Sequence, residues 1–99
     1  MKHDEIRALL RPILWDYDLD PYEFYEVAAG TRARLGMFTQ DTALIRLFER
    51  LGWYDLIDLF GLDELTRLLT KERIAKLGIP ELRERYEFAR KVLHGEPVS

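Results

Sequence analysis

The chain has 99 residues, of which 47% are hydrophobic and 33% are charged, and its net charge is −3. This length and this composition predict one packed domain and argue against intrinsic disorder. Because the chain contains no cysteine, disulfides, thiolate metal sites and cysteine nucleophiles are excluded.

The balance of polar residues indicates a thermophilic source. The chain has no Asn and a single Gln, whereas Glu, Lys and Arg are abundant, as is typical of thermophile proteins. No apolar run approaches the roughly 20 residues that span a bilayer. The charged start, Met1–Glu5, is not followed by the apolar region of a signal peptide. We therefore expect a cytoplasmic protein that does not enter a membrane.

The first predicted element is a short helix over Asp4–Leu10, with its apolar residues on one face. Pro12 lacks a backbone donor and disfavours a helical residue before it, so this helix should end or kink there. Ile13–Asp18 is then expected to be extended or irregular.

A strong helix start follows. Asp20 is typical of an N-cap, Pro21 of the first helical position and Glu23 of the third, where it would complete a capping box. The second helix should therefore cover residues 21–29 and end at Gly30.

Residues 31–38 fit either a loop or a further helical turn. Thr39 is predicted to cap a third helix, which Gly52 should close. The apolar residues of that helix recur at helical spacing and predict a core stripe of Leu44, Leu47, Phe48 and Leu51.

Glycines divide the following segment into short helices. Trp53–Phe60 should form a very apolar helix, and Asp63 should cap another at about 64–69. Thr70 is predicted to cap a short turn that runs through Leu77.

Pro80 should begin the last helix, which runs to about Leu93. Its predicted inward line is Leu82, Tyr86, Ala89 and Leu93. The chain is therefore expected to be all-α, a compact single domain over residues 1–99 with about six short helices. The irregular Trp-Asp-Tyr-Asp segment would lie near its N-terminus.

Three carboxylates at alternate positions, Asp16, Asp18 and Asp20, open two interpretations. On an extended segment they could share one face and approach a cation. A calcium loop of the EF-hand type fails, because Pro21 and Val27 occupy the places of its glycine and glutamate. We favour a structural corner, in which Asp20 caps a helix and the other two bind backbone amides or nearby arginines. No catalytic, metal or cofactor-binding residue is expected.

Two regions carry candidate partner contacts. The apolar helix Trp53–Phe60 is either the centre of the core or a face covered by another chain, for which homodimerisation is the simplest case. Trp53 and Tyr54 would be its anchors. Basic residues crowd the last third, where Arg83 and Arg90 are the first candidates, although five acidic residues interleave with eight basic ones. That mixture makes nucleic-acid binding unlikely, and leaves a helix-turn-helix as the weaker alternative.

Four spaced motifs carry a family resemblance: Leu14–Asp18, Ile45–Trp53, Leu59–Gly61 with Leu65, and Phe88 with Val92–Leu93. The pattern resembles an uncharacterised family of small bacterial and archaeal helical proteins with a Phe-Trp-Asp motif. The resemblance implies a fold core with Trp15 packed inside and Asp16 holding a turn. Some members are encoded beside nucleotidyltransferase toxins of the abortive-infection type, which implies an antitoxin or accessory role.

The function expected from the sequence is a non-enzymatic protein–protein interaction module, without a cofactor, whose partner is another protein or a second copy. The runner-up is a small helix-turn-helix-like DNA-binding regulator. A third alternative is a metal-dependent hydrolase that uses Asp16 and Asp18.

Overall fold

The structure is a computed structural model that describes residues 1–97. The helices within these residues are α1 (His3–Leu10), α2 (Pro21–Ala29), α3 (Gln40–Arg50), α4 (Trp53–Phe60), α5 (Leu62–Leu68), α6 (Lys71–Ala75) and α7 (Pro80–Leu93). A 3₁₀ turn over Arg11–Leu14 follows α1. The prediction of an all-α fold is confirmed. Between residues 1 and 97, no helix has both the length and the apolar character needed to cross a bilayer.

The chain divides into two compact units, one formed by residues 1–50 and one that begins at Leu51. Each unit buries its own apolar side chains. Those fully buried in the first unit include Leu10, Phe24, Val27, Leu44, Leu47 and Phe48, and those in the second include Leu56, Leu65, Leu69 and Leu77. The expected single domain over residues 1–99 stays a prediction, and its last two residues lie outside the described part.

The second helix begins and ends as the sequence predicted. The Asp20 carboxylate accepts a hydrogen bond from the backbone N–H of Glu23 at 3.2 Å. Gly30 ends α2 with a φ of +87°, a left-handed conformation that favours glycine. The Glu23 carboxylate lies 3.5 Å from Arg32, so its predicted role in a capping box is taken by an ion pair.

Residues 31–38 form a loop, which resolves the alternative left open by the sequence. Leu35 and Phe38 pair through two backbone hydrogen bonds of 3.0 and 2.9 Å. Phe38 is buried, and its ring meets that of Phe24 edge-on at 4.9 Å. The predicted cap at Thr39 forms reciprocally, because its N–H donates to the Thr42 hydroxyl at 2.8 Å while the Thr42 N–H reaches the Thr39 hydroxyl at 3.5 Å.

The irregular segment and the start of α5 differ from prediction. Ile13 and Leu14, predicted to be extended or irregular, belong to the 3₁₀ turn, and both side chains are buried. Pro12 does not disrupt this turn because it lies near its start, where a backbone donor is not needed. Helix α5 begins at Leu62, directly after Gly61, so Asp63 lies in its first turn and is not its cap.

The prediction that Thr70 caps the next helical turn is confirmed, since its hydroxyl accepts from the Arg73 N–H at 3.2 Å.

Candidate protein-binding surfaces

The segment after the 3₁₀ turn forms a tight turn, Leu14–Tyr17, which we name the Trp15 turn. The backbone N–H of Tyr17 donates to the carbonyl of Leu14 at 2.9 Å. Trp15 has φ −56° and ψ −28°, the values of the second residue of a type I turn. Trp15 and Asp16 therefore stand at the tip of the turn.

The guanidinium group of Arg46, on α3, fixes the Trp15 turn through hydrogen bonds. Its Nε and Nη2 donate to the carbonyl of Ile13 at 3.1 and 2.9 Å, and Nη2 also reaches the Asp16 carboxylate at 2.8 Å. The guanidinium lies 5.1 Å from the centroid of the Tyr17 ring, within cation–π range. The Arg46 side chain is only 16% exposed. As predicted for Asp16, its carboxylate binds a nearby arginine and holds a turn.

Tyr17 fastens the other side of the same turn. Its ring meets the buried Phe38 edge-on at a centroid distance of 5.1 Å. Its hydroxyl lies 4.0 Å from the sulphur of Met37, which is exposed on the loop before α3. The Trp15 turn is thus attached both to α3 and to the loop that precedes it.

The prediction that Trp15 packs inside is wrong, because its side chain is 78% exposed. The 3₁₀ turn directs Ile13 and Leu14 into the core, so the next residue in the chain points outwards. Trp15 is therefore a large apolar side chain on a firmly attached turn, where it contributes little burial to the fold.

The three alternate carboxylates have separate surroundings. Asp20 accepts from Arg7 Nε at 3.1 Å as well as from the Glu23 N–H. Partial burial by itself would raise the pKa of Asp20, but these hydrogen bonds and the Arg7 charge bring it below its usual value. Asp18 is exposed. Within residues 1–97, no three His, Asp or Glu side chains are grouped so that they could hold a metal ion.

A second candidate surface is a cleft of about 470 Å³ between α6 and α7, which we name the α6–α7 groove. It is lined by Lys71, Ile74, Ala75, Arg83, Glu84, Glu87, Phe88 and Lys91. Phe88 is 57% exposed, and Val92, one helical turn further along α7, is 54% exposed. The groove therefore combines exposed apolar side chains with several charges.

Arg90, predicted as a partner contact, is buried beside this groove with 4% of its surface exposed. Its guanidinium donates to the Glu87 carboxylate at 2.6 Å and to the Glu96 carboxylate at 2.5 Å. The hydrogen bonds raise the pKa of Arg90 and lower those of both glutamates. The predicted role is corrected, because Arg90 holds the end of α7 and does not face solvent.

The other predicted contacts lie in different places. Arg83 lines the α6–α7 groove and donates to the carbonyl of Leu77 at 2.6 Å. Tyr54 is 80% exposed on α4, whereas Trp53 is half-buried. Trp53 lines a smaller cavity of about 230 Å³ with Leu51, Gly52, Leu82, Arg85, Tyr86 and Ala89.

Helix α4 is amphipathic and not apolar all round; that another chain covers its exposed part stays a prediction. Leu56 and Leu59 are buried, while Asp55 and Asp58 are exposed. Each aspartate directly precedes one of the buried leucines, and the three-residue spacing within both pairs keeps the carboxylates together on the outer face. Apart from Tyr54, α4 offers solvent a mainly acidic face.

Comparisons with protein-family models, with curated proteins and with solved structures found no match to this chain. The resemblance to the family with a Phe-Trp-Asp motif thus stays a prediction. What the chain does must be inferred from the Trp15 turn and the α6–α7 groove.

Sequence reasoning missed Arg46, Phe88 and Val92 as candidate functional residues. Phe88 and Val92 could have been found, because they are four positions apart on α7 and lie off its predicted inward line. Arg46 lies within the motif Ile45–Trp53, but its role was not readable there, since its partners Ile13 and Asp16 lie 33 and 30 residues away along the chain.

Proposed function

We propose that this chain is a non-enzymatic protein-binding module and that Trp15 is its principal contact residue. One observation carries the proposal: Trp15 is 78% exposed on a turn that Arg46 fixes. Tryptophan is enriched among the residues that dominate binding energy at protein interfaces. A fixed turn also lowers the conformational entropy lost on binding, which strengthens association.

The surroundings of Trp15 fit an interface anchor. The exposed Met37 contacts the hydroxyl of Tyr17, two positions after Trp15, and Asp16 is already paired with Arg46. A partner that covers this turn would therefore bury an indole without leaving the Asp16 carboxylate unpaired. Truncation of such an anchor costs about 2 kcal/mol or more, roughly a 30-fold loss of affinity.

We further propose, on the basis of the sequence resemblance, that the partner is a toxin-like enzyme to which this chain is an antitoxin or accessory protein. A cytoplasmic location belongs to the same proposal. Self-association is the simplest alternative for the partner.

The test is quantitative capture from an extract of the native host, with wild-type protein, Trp15→Ala and Tyr54→Ala immobilised in equal amounts. Tyr54 is the matched control, since it is an equally exposed aromatic residue on α4. We expect wild type and Tyr54→Ala to retain the same protein and Trp15→Ala to bind it about 30-fold more weakly. The stability of Trp15→Ala should stay within about 0.5 kcal/mol of wild type, because the side chain is exposed.

Two outcomes would overturn the role of Trp15. One is capture that is equal for wild type and Trp15→Ala. The other is a loss that occurs only with Tyr54→Ala, which would place the contact on α4.

A further inference from the structure

We infer that the α6–α7 groove is a second docking site, which binds an acidic amphipathic helix of a partner protein. The inference rests on the proposed protein-binding function but concerns a different surface from the Trp15 turn. It names the chemistry of the segment that the partner would insert.

The apolar part of the groove lining suits a helix. Ile74 and Ala75 of α6 and Phe88 of α7 line a cleft of about 470 Å³. Val92 continues the row one turn beyond Phe88, and both side chains are more than half exposed. Recognition of a helix in a groove uses apolar anchors at three- and four-residue spacing, which such a row would receive.

The charges that line the groove favour an acidic occupant. Three lining residues are basic (Lys71, Arg83 and Lys91) and two are acidic. One of the two, Glu87, is already bound by the buried Arg90 through contacts to both carboxylate oxygens. Arg90 is shared between Glu87 and Glu96, so the groove and the ion pairs beside it hold four cations against three carboxylates. The net charge that a bound helix meets is therefore positive.

Nucleic acid and a second copy fit this surface less well. A phosphate backbone calls for a longer, more uniformly basic stripe, whereas here two glutamates and three apolar residues also line the groove. The helices of this chain that carry acidic and no basic residues are α2 and α4 among the described elements. They bury Phe24 and Val27, and Leu56 and Leu59, respectively, and cannot present these side chains to a second molecule while folded.

The test uses two synthetic amphipathic helical peptides that share one leucine stripe and differ only in their flanking residues, Glu in one and Lys in the other. Binding to the full chain is measured by the fluorescence anisotropy of a label on each peptide. We expect the acidic peptide to bind saturably and about tenfold more tightly than the basic one, as two or three exposed ion pairs would give.

Variants locate the binding and provide controls. Phe88→Ala should abolish saturable binding, and Lys71→Glu with Lys91→Glu should reverse the preference between the peptides. Arg11→Glu with Arg34→Glu is the matched control, since it removes the same charge from exposed positions in the first unit and should change nothing. Circular dichroism checks that every variant keeps its helix content.

Absent or equal binding of the two peptides would overturn the inference. Self-association that Phe88→Ala abolishes would overturn it in favour of a second copy, and salt-sensitive binding of duplex DNA through Lys71 and Lys91 would overturn it in favour of nucleic acid. Trp15→Ala should bind the acidic peptide like wild type. The proposals for the groove and for the Trp15 turn can therefore be refuted independently of each other.

Discussion

At the scale of single residues, Arg46 determines the position and exposure of Trp15. It is a mostly buried cation that satisfies a backbone carbonyl, a carboxylate and an aromatic face at once. Guanidinium suits this combination because its donors lie in a fixed plane, which an ammonium group cannot reproduce. The exposure of Trp15 follows from the turn that these contacts hold.

Replacement of Arg46 should weaken the first unit. Arg46→Ala removes three hydrogen bonds, two of them to the Ile13 carbonyl, and is expected to lower the free energy of unfolding by about 2 kcal/mol. Asp16→Ala removes only a partly exposed ion pair and should cost about 0.5 kcal/mol. Urea denaturation of both variants measures the difference. Equal losses would show that the ion pair, and not the carbonyl contact, fixes the turn.

The sequence predicted contacts between residues that are close along the chain better than contacts between residues that are far apart. Asp20 could be assigned as a cap because its partner, Glu23, lies three positions away. The burial of Trp15 was implied only by the family resemblance, and nothing nearby in the sequence indicates an arginine that arrives from α3. Arg90 was assigned to the surface because buried arginines are rare, yet two glutamates on its own segment compensate its charge.

At the scale of secondary-structure elements, side chains and glycines near the helix ends set the boundaries. Asp20 fixes the start of α2 and also ties it to Arg7 of α1. Gly30 fixes its end, and the side chain of Gln40 packs against that glycine while donating to the carbonyl of Ala28 at 3.2 Å. The element boundaries were largely predictable because these signals are local, and the shift at α5 arose because Gly61 precedes Asp63.

Loss of the Asp20 cap should destabilise α2. Asp20→Ala removes a backbone hydrogen bond and the contact with Arg7, and we expect it to lower the free energy of unfolding by about 1 kcal/mol. Asp18→Ala is the control, since this carboxylate lies two positions away and is exposed. Thermal denaturation of both variants tests the prediction. A comparable loss for Asp18→Ala would contradict the assignment of the cap to Asp20.

Gly30 should tolerate asparagine better than alanine. A Cβ at this position would stand 3.0 Å from Gln40 Nε2, and alanine also pays about 1–2 kcal/mol for a left-handed conformation. Asparagine meets the same contact but visits that conformation more readily. The ranking glycine, asparagine, alanine in melting temperature is the expected result. A Gly30→Ala protein as stable as wild type would show that the end of α2 can rearrange.

At the scale of the whole molecule, the surfaces are less predictable than the core. Leu44, Leu47 and Phe48 of α3 and Tyr86 of α7 follow helical spacing and are buried as predicted. Leu51, predicted in the same stripe, is half-buried just beyond the end of α3. The charge of the remaining, exposed faces depends on which side chains from different helices lie next to one another. The α6–α7 groove is an example, because the three basic and two acidic residues of its lining come from two helices that are separate in the sequence.

The stability of the molecule should fall in acid. The pKa values of Asp20, Glu87 and Glu96 are lower in the folded chain than in the unfolded one. Their contribution is therefore fully present above the unfolded values, near pH 4, and is lost as the pH falls through the folded values. Urea denaturation at a series of acidic pH values measures the decline. Constant stability down to pH 2 would contradict it.

A second loss is expected in alkali from Tyr86. Burial raises the pKa of Tyr86 to about 12 from its ordinary value of 10.0. The neutral phenol is thus favoured by folding, so its contribution is fully present below pH 10 and disappears as the pH rises through about 12. Tyr86→Phe should flatten this alkaline decline, and an unchanged decline in that variant would assign it to other groups.

The most direct test of the central claim, that Trp15 stands exposed and is covered by a partner, is ¹⁹F NMR of a Trp53→Phe protein labelled with 5-fluorotryptophan. Trp15 is then the single labelled residue. In the free protein a soluble paramagnetic agent should broaden its resonance strongly, and addition of the captured partner should protect it. A resonance already protected in the free protein, or one still fully broadened in the complex, would contradict the account.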